Sequence, residues 1–192
     1  MTSNTGVPAA FLDRDGVINV DSGYVHRVDD FHFIPGVLNA CRSLHVAGYK
    51  LLVVTNQAGI AHGFYDEQAF NEITDWMSGR FVEAGAPLAG VYYCPHHPAA
   101  RIARFRRECG CRKPAPGMIT QAVREHRIDV SNSFLVGDKA SDLEAAERAG
   151  LLGRYIVRSG GCPLERNGHS GEFESLAAVV DHILGKRSRP TA

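Results

Sequence analysis

The tightest constraint on the fold is a repeated short apolar run that breaks off at a polar residue. "VPAAFL" (7–12) runs into Asp13, "KLLVV" (50–54) into Thr55, and "SFLVG" (133–137) into Asp138. "GVYY" (90–93) and "RYIV" (154–157) have the same character. A strand with one face in water alternates apolar and polar residues, whereas an unbroken run is buried on both faces. Helical patterns lie between the runs. Pro35-Gly36 opens one with Val37, Cys41 and Leu44 on its apolar face and Gly48 closing it. From Asp66 to Ala84, Phe70, Ile73, Trp76, Met77 and Phe81 recur at helical spacing, a core stripe. Pro116 begins a helix to His126, Ser141-x-x-Glu144 reads as a capping box for a helix to Ala149, and a last amphipathic helix spans 172–184. Residues 94–115 and 160–171 read as loop. This alternation predicts an α/β, Rossmann-like three-layer sandwich with a mostly parallel sheet and no room for a cap domain.

At 192 residues, 44% of them hydrophobic and 22% charged, the chain suits a single domain with a real core. That domain is placed at residues 7–185, with a disordered N-terminus at 1–6 and a flexible tail at 186–192. Lys plus Arg equals Asp plus Glu at 21 each, which argues against nucleic acid or a membrane surface as partner. No stretch approaches the ~18 apolar residues that span a bilayer. "MTSNTGVPAA" lacks the basic and apolar regions of a signal peptide. A cytoplasmic monomer acting on a small molecule is expected. In a reducing compartment the five cysteines are thiols or metal ligands before they are disulfides.

Open parallel sheets bind ligands outside the carboxyl ends of their strands. "FLDRDGVIN" puts Asp13 and Asp15 two apart in an extended segment, on the same side of it, and Gly16 lets the chain turn behind them. Thr55-Asn56-Gln57 follow the second run, Asp138 and then Asp142 the fourth, and Arg112-Lys113 end the 94–111 loop. Singly, each is an ordinary turn or helix cap; together they converge on one edge of a sheet. Close carboxylates repel by about 1–4 kcal/mol per pair at intermediate dielectric, and a divalent cation relieves this. Oxygen ligands without His or Cys select Mg²⁺. Arg112, Lys113 and the Thr55 hydroxyl suit phosphate oxygens. The set points to phosphoryl transfer onto a carboxylate, with Asp15 exchanging protons with the leaving alcohol and then water.

A second constellation is "CPHHP" (94–98) with "CGCRKP" (109–114). Cys94, Cys109 and Cys111 with His96 or His97 supply three sulfurs and an imidazole, a closed set for Zn²⁺. A Cys-x-Cys redox pair or inert loop thiols are the plainer alternatives. Because Cys111 immediately precedes Arg112 and Lys113, a zinc clamp there would fix the loop that delivers these cations. Cys41 reads as core, and Cys162 has no evident partner.

"DRDGVIN", Thr55, Lys113 and "GDKASD" resemble, in order, the four motifs of the haloacid-dehalogenase-like phosphatases, over nearly the whole chain. The resemblance implies Asp13 as nucleophile, Asp15 as acid/base, and Thr55 and Lys113 as phosphate binders. It places Mg²⁺ on Asp13, the backbone carbonyl of Asp15, and Asp138. "INVDSGYVHRVDDFHFIPGV", "TNQAGIAHG", "YYCPHHP" and "CGCRKPAPGM" resemble the zinc-containing heptose 1,7-bisphosphate 7-phosphatases within that superfamily. That narrower resemblance implies His96 as the zinc ligand and a sugar bisphosphate substrate from activated-heptose synthesis for lipopolysaccharide or other surface glycans. It implies substrate contacts at Asp21, Ser22, Gly23, Tyr24, Thr55, Asn56, Gln57, Arg112, Lys113 and Lys139. The rivals are a histidinol-phosphate phosphatase of the same fold and a non-catalytic zinc-stabilised binding module. The basic "RIARFRREC" favours a second phosphate over a cationic amine.

Overall fold

The five apolar runs form β1 (Ala9–Leu12), β2 (Lys50–Asn56), β3 (Leu88–Cys94), β4 (Phe134–Gly137) and β5 (Gly153–Val157) in a computed structural model that describes residues 6–158 and 170–187. A sixth strand, β6 (Gly171–Phe173), joins β5 at the edge. The order is β3-β2-β1-β4-β5-β6, and every pair is parallel. The connections carry α1 (Val37–Val46), α2 (Ala58–His62), α3 (Glu67–Glu83), α4 (Gly117–His126), α5 (Ala140–Arg148) and α6 (Leu176–Arg187).

The unbroken hydrophobicity of the runs has the expected cause. All four residues of β1 are fully buried, Ala10 and Leu12 on one face and Ala9 and Phe11 on the other. Leu44 of α1, Met77 and Phe81 of α3 and Val179 of α6 cover the first face. Met118, Ile119 and Ala122 of α4 and Ala145 and Ala146 of α5 cover the second. A smaller cluster joins Ile60 and Ala61 of α2 and Phe70 of α3 to Ala100 and Phe105, seating the loop after β3 on the domain. That loop contains a single 3-10 turn, Ala103–Phe105.

The observed elements depart from the sequence reading at four places. Residues 171–173 form a strand, and the last helix begins at Leu176 rather than 172 and reaches Arg187. The five residues of α2 follow β2 directly and were not expected. α5 starts one residue earlier than the predicted Ser141–Glu144 box; Asp142 Oδ2 accepts from the Lys139 backbone N–H at 3.0 Å instead. Gly6, expected to be disordered, packs so closely that a Cβ there would lie 2.8 Å from the Asp129 nitrogen. The remainder of the expected N-terminal disorder (1–5), Cys162 and the tail at 188–192 lie outside the described residues. Among the described residues no helix is long and apolar enough to cross a membrane.

Candidate active site

The strand order reverses direction between β1 and β4, which is where a doubly wound sheet opens a crevice at its carboxyl edge. Asp13 leaves β1 there, its backbone N–H donating to Val136 O of β4 at 3.0 Å. Asp138 follows β4, and Asp142 sits one turn into α5. Two glycines make this convergence possible. Gly16 has φ of 86°, and a Cβ on it would fall 2.4 Å from Asp138 Oδ2. A Cβ on Gly137 would fall 2.2 Å from Asp142 Cβ.

Asp13, Asp138 and Asp142 are all buried and offer oxygens within 4.8 Å of one another. Their surroundings differ. Asp142 Oδ1 lies 2.6 Å from Lys113 Nζ, and its Oδ2 holds the Lys139 N–H. Asp13 Oδ1 lies 3.0 Å from Lys113 Nζ and accepts from the Arg14 N–H at 2.8 Å. Among the described residues neither Asp138 oxygen has a hydrogen-bond donor; Lys139 Nζ stands 3.5 Å from Oδ2. A buried carboxylate left in that state is costly, and hard oxygens around it suit a small hard dication. Asp13 and Asp138 are the residues that could hold one, while Asp142 is engaged in fixing Lys113.

The electrostatics follow. Burial pushes the Asp13 carboxyl up to about 7, against the pull of Lys113 and with the push of Asp142, Asp138 and Asp15. Burial likewise pushes Asp138 up to about 6, with Lys139 opposing. Burial alone would lower Lys113, but Asp13 and Asp142 outweigh it and hold the ammonium above its ordinary range.

Asp15 belongs to a different environment. The convergence of four acids expected from sequence is a convergence of three. Arg14 folds inward, fully buried, and its Nη2 donates to both Asp15 oxygens at 2.9 Å and to Val25 O at 2.7 Å. Asn19 Nδ2 and Gln57 Nε2 each add a bond to Asp15 at 3.0 Å. The Asp15 side chain is therefore not in the carboxylate cluster, and a metal role for this residue is confined to its backbone carbonyl.

A cavity of about 200 Å³ opens over these groups, lined by Asp13, Asp15, Asp21, Gly23, Tyr24, Thr55, Asn56, Gln57, Lys113 and Lys139. Ten expected site residues thus share one space. Ser22, Arg112 and Asp138 do not line it; Arg112 Nη1 donates to His96 O at 3.2 Å. Asn56 clamps the Lys113 backbone, Nδ2 to its carbonyl and Oδ1 to its N–H, both at 3.0 Å. Lys139 Nζ reaches Asp21 Oδ2 at 3.3 Å across the cavity. Gly23 and Tyr24 both have positive φ, 87° and 53°, and the Tyr24 ring rests on Phe64 with centroids 4.6 Å apart. Arg14, Asn19, Tyr65 and Ser141 also contribute, and sequence reasoning missed them. In an extended reading Arg14 points away from the flanking acids, so only the tight turn at Gly16 brings it round.

At the end of β3 and in the loop after it, the Sγ atoms of Cys94, Cys109 and Cys111 lie 3.5, 3.3 and 3.2 Å apart. His96 Nδ1 is 3.7 Å from Cys94 Sγ and 3.4 Å from Cys111 Sγ. These spacings exceed a disulfide bond and approach the ~3.7 Å edges of a tetrahedron with zinc–sulfur bonds of ~2.3 Å. His97 is outside the set: its Nδ1 accepts from the Ala99 N–H at 3.1 Å. The cluster adjoins the cavity, since Cys94 O accepts from the Gln57 N–H at 2.8 Å and Cys111 leads into Arg112 and Lys113.

Comparison with known proteins agrees with this geometry. Residues 110–184 match a family model described as HAD-hydrolase-like. The chain is 50% identical over 175 residues to a D-glycero-beta-D-manno-heptose-1,7-bisphosphate 7-phosphatase of Yersinia pestis, covering 91% of this chain and 93% of the relative. The relative of that name in Escherichia coli K12 is 49% identical over 186 residues, covering 96% and 97%. A D,D-heptose 1,7-bisphosphate phosphatase from B. bronchiseptica, solved with magnesium and phosphate, superposes with a TM-score of 0.81 at 33% identity, covering 93% of this chain and 99% of that one. Identity of this extent, together with a parallel sheet whose switch point gathers the motif residues, shows that the chain belongs to the family of heptose-1,7-bisphosphate 7-phosphatases within the HAD-like hydrolases.

Proposed function

We propose that the chain is a magnesium-dependent phosphatase that removes the 7-phosphate of D-glycero-β-D-manno-heptose 1,7-bisphosphate through a phosphorylated Asp13. The observation that carries this reading is the contrast between two acids on one strand end. Asp13 and Asp15 share a cavity, yet Asp13 faces carboxylates and one lysine while Asp15 is held by Arg14, Asn19 and Gln57. Two carboxylates in opposite settings can divide nucleophile from acid/base.

The Asp13 carboxylate attacks phosphorus, and the bond from phosphorus to the sugar oxygen breaks. Asp15 gives that oxygen its proton. Asp15 then takes a proton from water; the water oxygen bonds phosphorus, the bond to Asp13 breaks, and inorganic phosphate leaves. Lys113 and the Thr55 hydroxyl hold phosphoryl oxygens throughout. Asp13, Asp138 and the Asp15 carbonyl would hold magnesium, which would supply charge neutralisation at the transferring group. The unpartnered oxygens of Asp138 support this assignment, as does the magnesium in the B. bronchiseptica relative.

Zinc on Cys94, His96, Cys109 and Cys111 would keep Arg112 and Lys113 in place; one Arg112 N–H goes to His96 O, and the rest of its planar fork would meet the second, unreacting phosphate. The free cysteines Cys41, Cys94, Cys109 and Cys111 fit a cytoplasmic, reducing location, and the enzyme is proposed to act as a monomer. The reaction would serve activated-heptose synthesis for lipopolysaccharide or related surface glycans. The quoted relatives are named for the heptose bisphosphate, which favours it over histidinol phosphate and over a non-catalytic role.

Phosphate release from both heptose 1,7-bisphosphate anomers, fructose 1,6-bisphosphate and histidinol phosphate tests the reading. The β anomer is expected to lead in kcat/KM by ~10-fold or more, about 1.4 kcal/mol of discrimination. A preference for histidinol phosphate would reverse the substrate assignment.

A further inference from the structure

Tyr65 lines the cavity, and its hydroxyl bonds to Gln57 rather than to the carboxylate cluster; it is buried at the end of a hydrogen-bond chain that leads to the proposed acid/base residue. Its hydroxyl lies 2.5 Å from Gln57 Oε1. Gln57 Nε2 in turn donates to Asp15 Oδ2 at 3.0 Å and to Thr55 Oγ1 at 2.8 Å. Gln57 and Thr55 are nearly as buried as the core, 2% and 1% exposed, so their amide and hydroxyl depend chiefly on these protein partners. From this chain we propose that Tyr65 is a positioning residue that fixes the Gln57 amide and, through it, the Asp15 carboxyl. The inference rests on the reading of Asp15 as acid/base.

The orientation of the amide follows from donor and acceptor counting. With oxygen and nitrogen exchanged, Gln57 Oε1 would face Asp15 Oδ2 at 3.0 Å, an acceptor against an anion. The amide therefore turns its oxygen to the Tyr65 O–H and spends its two hydrogens on Asp15 and Thr55. Thr55, already accepting one of them, is left with its own proton for an oxygen in the cavity. Asp15 is left with one fixed carboxyl plane, bracketed by Arg14 on one side and Gln57 on the other. The charged partner carries most of the effect, because a bond to a carboxylate is stronger than one to a hydroxyl.

The sequence builds a seat for this tyrosine. Gly59 opens the first turn of α2, and a Cβ there would lie 2.2 Å from Tyr65 Cε1. The His26 ring stacks on Tyr65 with centroids 4.9 Å apart and an interplanar angle of 7°. His26 Nδ1 is also 2.8 Å from Tyr24 O, which ties the Asp21–Tyr24 turn to the same anchor.

The deciding experiment is rapid-quench phosphorylation of the wild type, Tyr65→Phe and Gln57→Met, with two substrates at saturation. Heptose 1,7-bisphosphate has an alkoxide leaving group that needs the Asp15 proton; p-nitrophenyl phosphate releases a phenolate that does not. Tyr65→Phe is expected to slow phosphorylation by the heptose bisphosphate ~10-fold with KM within ~2-fold, and phosphorylation by the aryl phosphate by less than ~2-fold. Gln57→Met should show the same selectivity with a larger loss, and it decides the matter should Tyr65→Phe fail to fold. Equal slowing of both substrates, or no slowing of either, would overturn the proposal. A wild type that forms no phosphoenzyme at all would remove the proposed Asp13 mechanism first, and with it the phosphorylation step on which this inference is read.

Discussion

At the end of β3 and in the loop after it, three sulfurs and one imidazole nitrogen close on one another at 3.2–3.7 Å. At the ends of β1 and β4, three buried carboxylates gather beside an open cavity that Asp13 and Asp142 line, and the third, Asp138, has neither oxygen bonded to a donor among the described residues. Both are ligand-type clusters, but one is geometrically complete and the other is not. Four soft ligands satisfy zinc and leave no coordination site for chemistry. Two or three hard oxygens leave magnesium most of its shell, free for water and phosphate. The contrast separates a part that holds shape from a part that performs a reaction, and each can be broken independently.

The largest effect should come from Asp13→Asn. It removes the proposed nucleophile while keeping the shape of the side chain, so turnover should fall ~10³-fold or more with fold and zinc content unchanged, checked by phosphate release and metal analysis. Near-wild-type activity would end Asp13's role. Next is magnesium withdrawal. Removing only magnesium should cut turnover ~100-fold or more, reversibly on adding it back, because Lys113 and Lys139 are then left to face the charge of three carboxylates and a phosphate. The sulfur cluster should be indifferent to this treatment.

Cys109→Ser turns the comparison round. It takes one ligand from the closed set and should cost zinc, raise KM ~10-fold and change kcat much less, since Arg112 and Lys113 lose their support while Asp13 and Asp15 keep theirs. The loop should not detach altogether, because Ala100 and Phe105 remain packed on Ile60, Ala61 and Phe70. A zinc-free protein with unchanged KM would remove the clamp.

The two clusters were not equally legible in the sequence. Cys94, His96, Cys109 and Cys111 stand out by residue type, and nothing about their environment had to be known. The carboxylates required the sheet: they mean something only once the unbroken apolar runs predict parallel strands whose carboxyl ends meet. That inference located Asp13, Thr55, Lys113 and Asp138 together. It could not foresee that Arg14 would turn inward and withdraw Asp15 from the cluster, since that depends on the backbone reversal at Gly16. Nor could it tell a side chain that meets substrate from one that holds the scaffold; the Asn56 amide is engaged with the Lys113 backbone. The three-residue β6 and five-residue α2 are too short for periodicity to register, and their existence rests on tertiary contacts alone.

The smallest effect is the most discriminating, because it reads the unfinished state of the carboxylate cluster without any substrate. Asp13 and Asp138 have folded values near 7 and 6, raised from the ordinary 3.8. Between the unfolded and folded values the folded protein holds protons that the unfolded chain has released. Stability from these groups is therefore complete below about pH 4 and is lost as pH rises through about 6 to 7. In metal-free protein the melting temperature should carry a falling component across that window of at least ~3 °C, about 1 kcal/mol for a chain of this size. Magnesium should erase it, since a bound dication favours the ionised carboxylates and its stabilisation grows as they deprotonate. Asp138→Asn should flatten part of the slope and weaken the magnesium response together, whereas Cys109→Ser should lower the melting temperature at every pH and leave both intact. A magnesium shift that is the same at pH 5 and pH 8 would mean that the ion does not sit among these carboxylates.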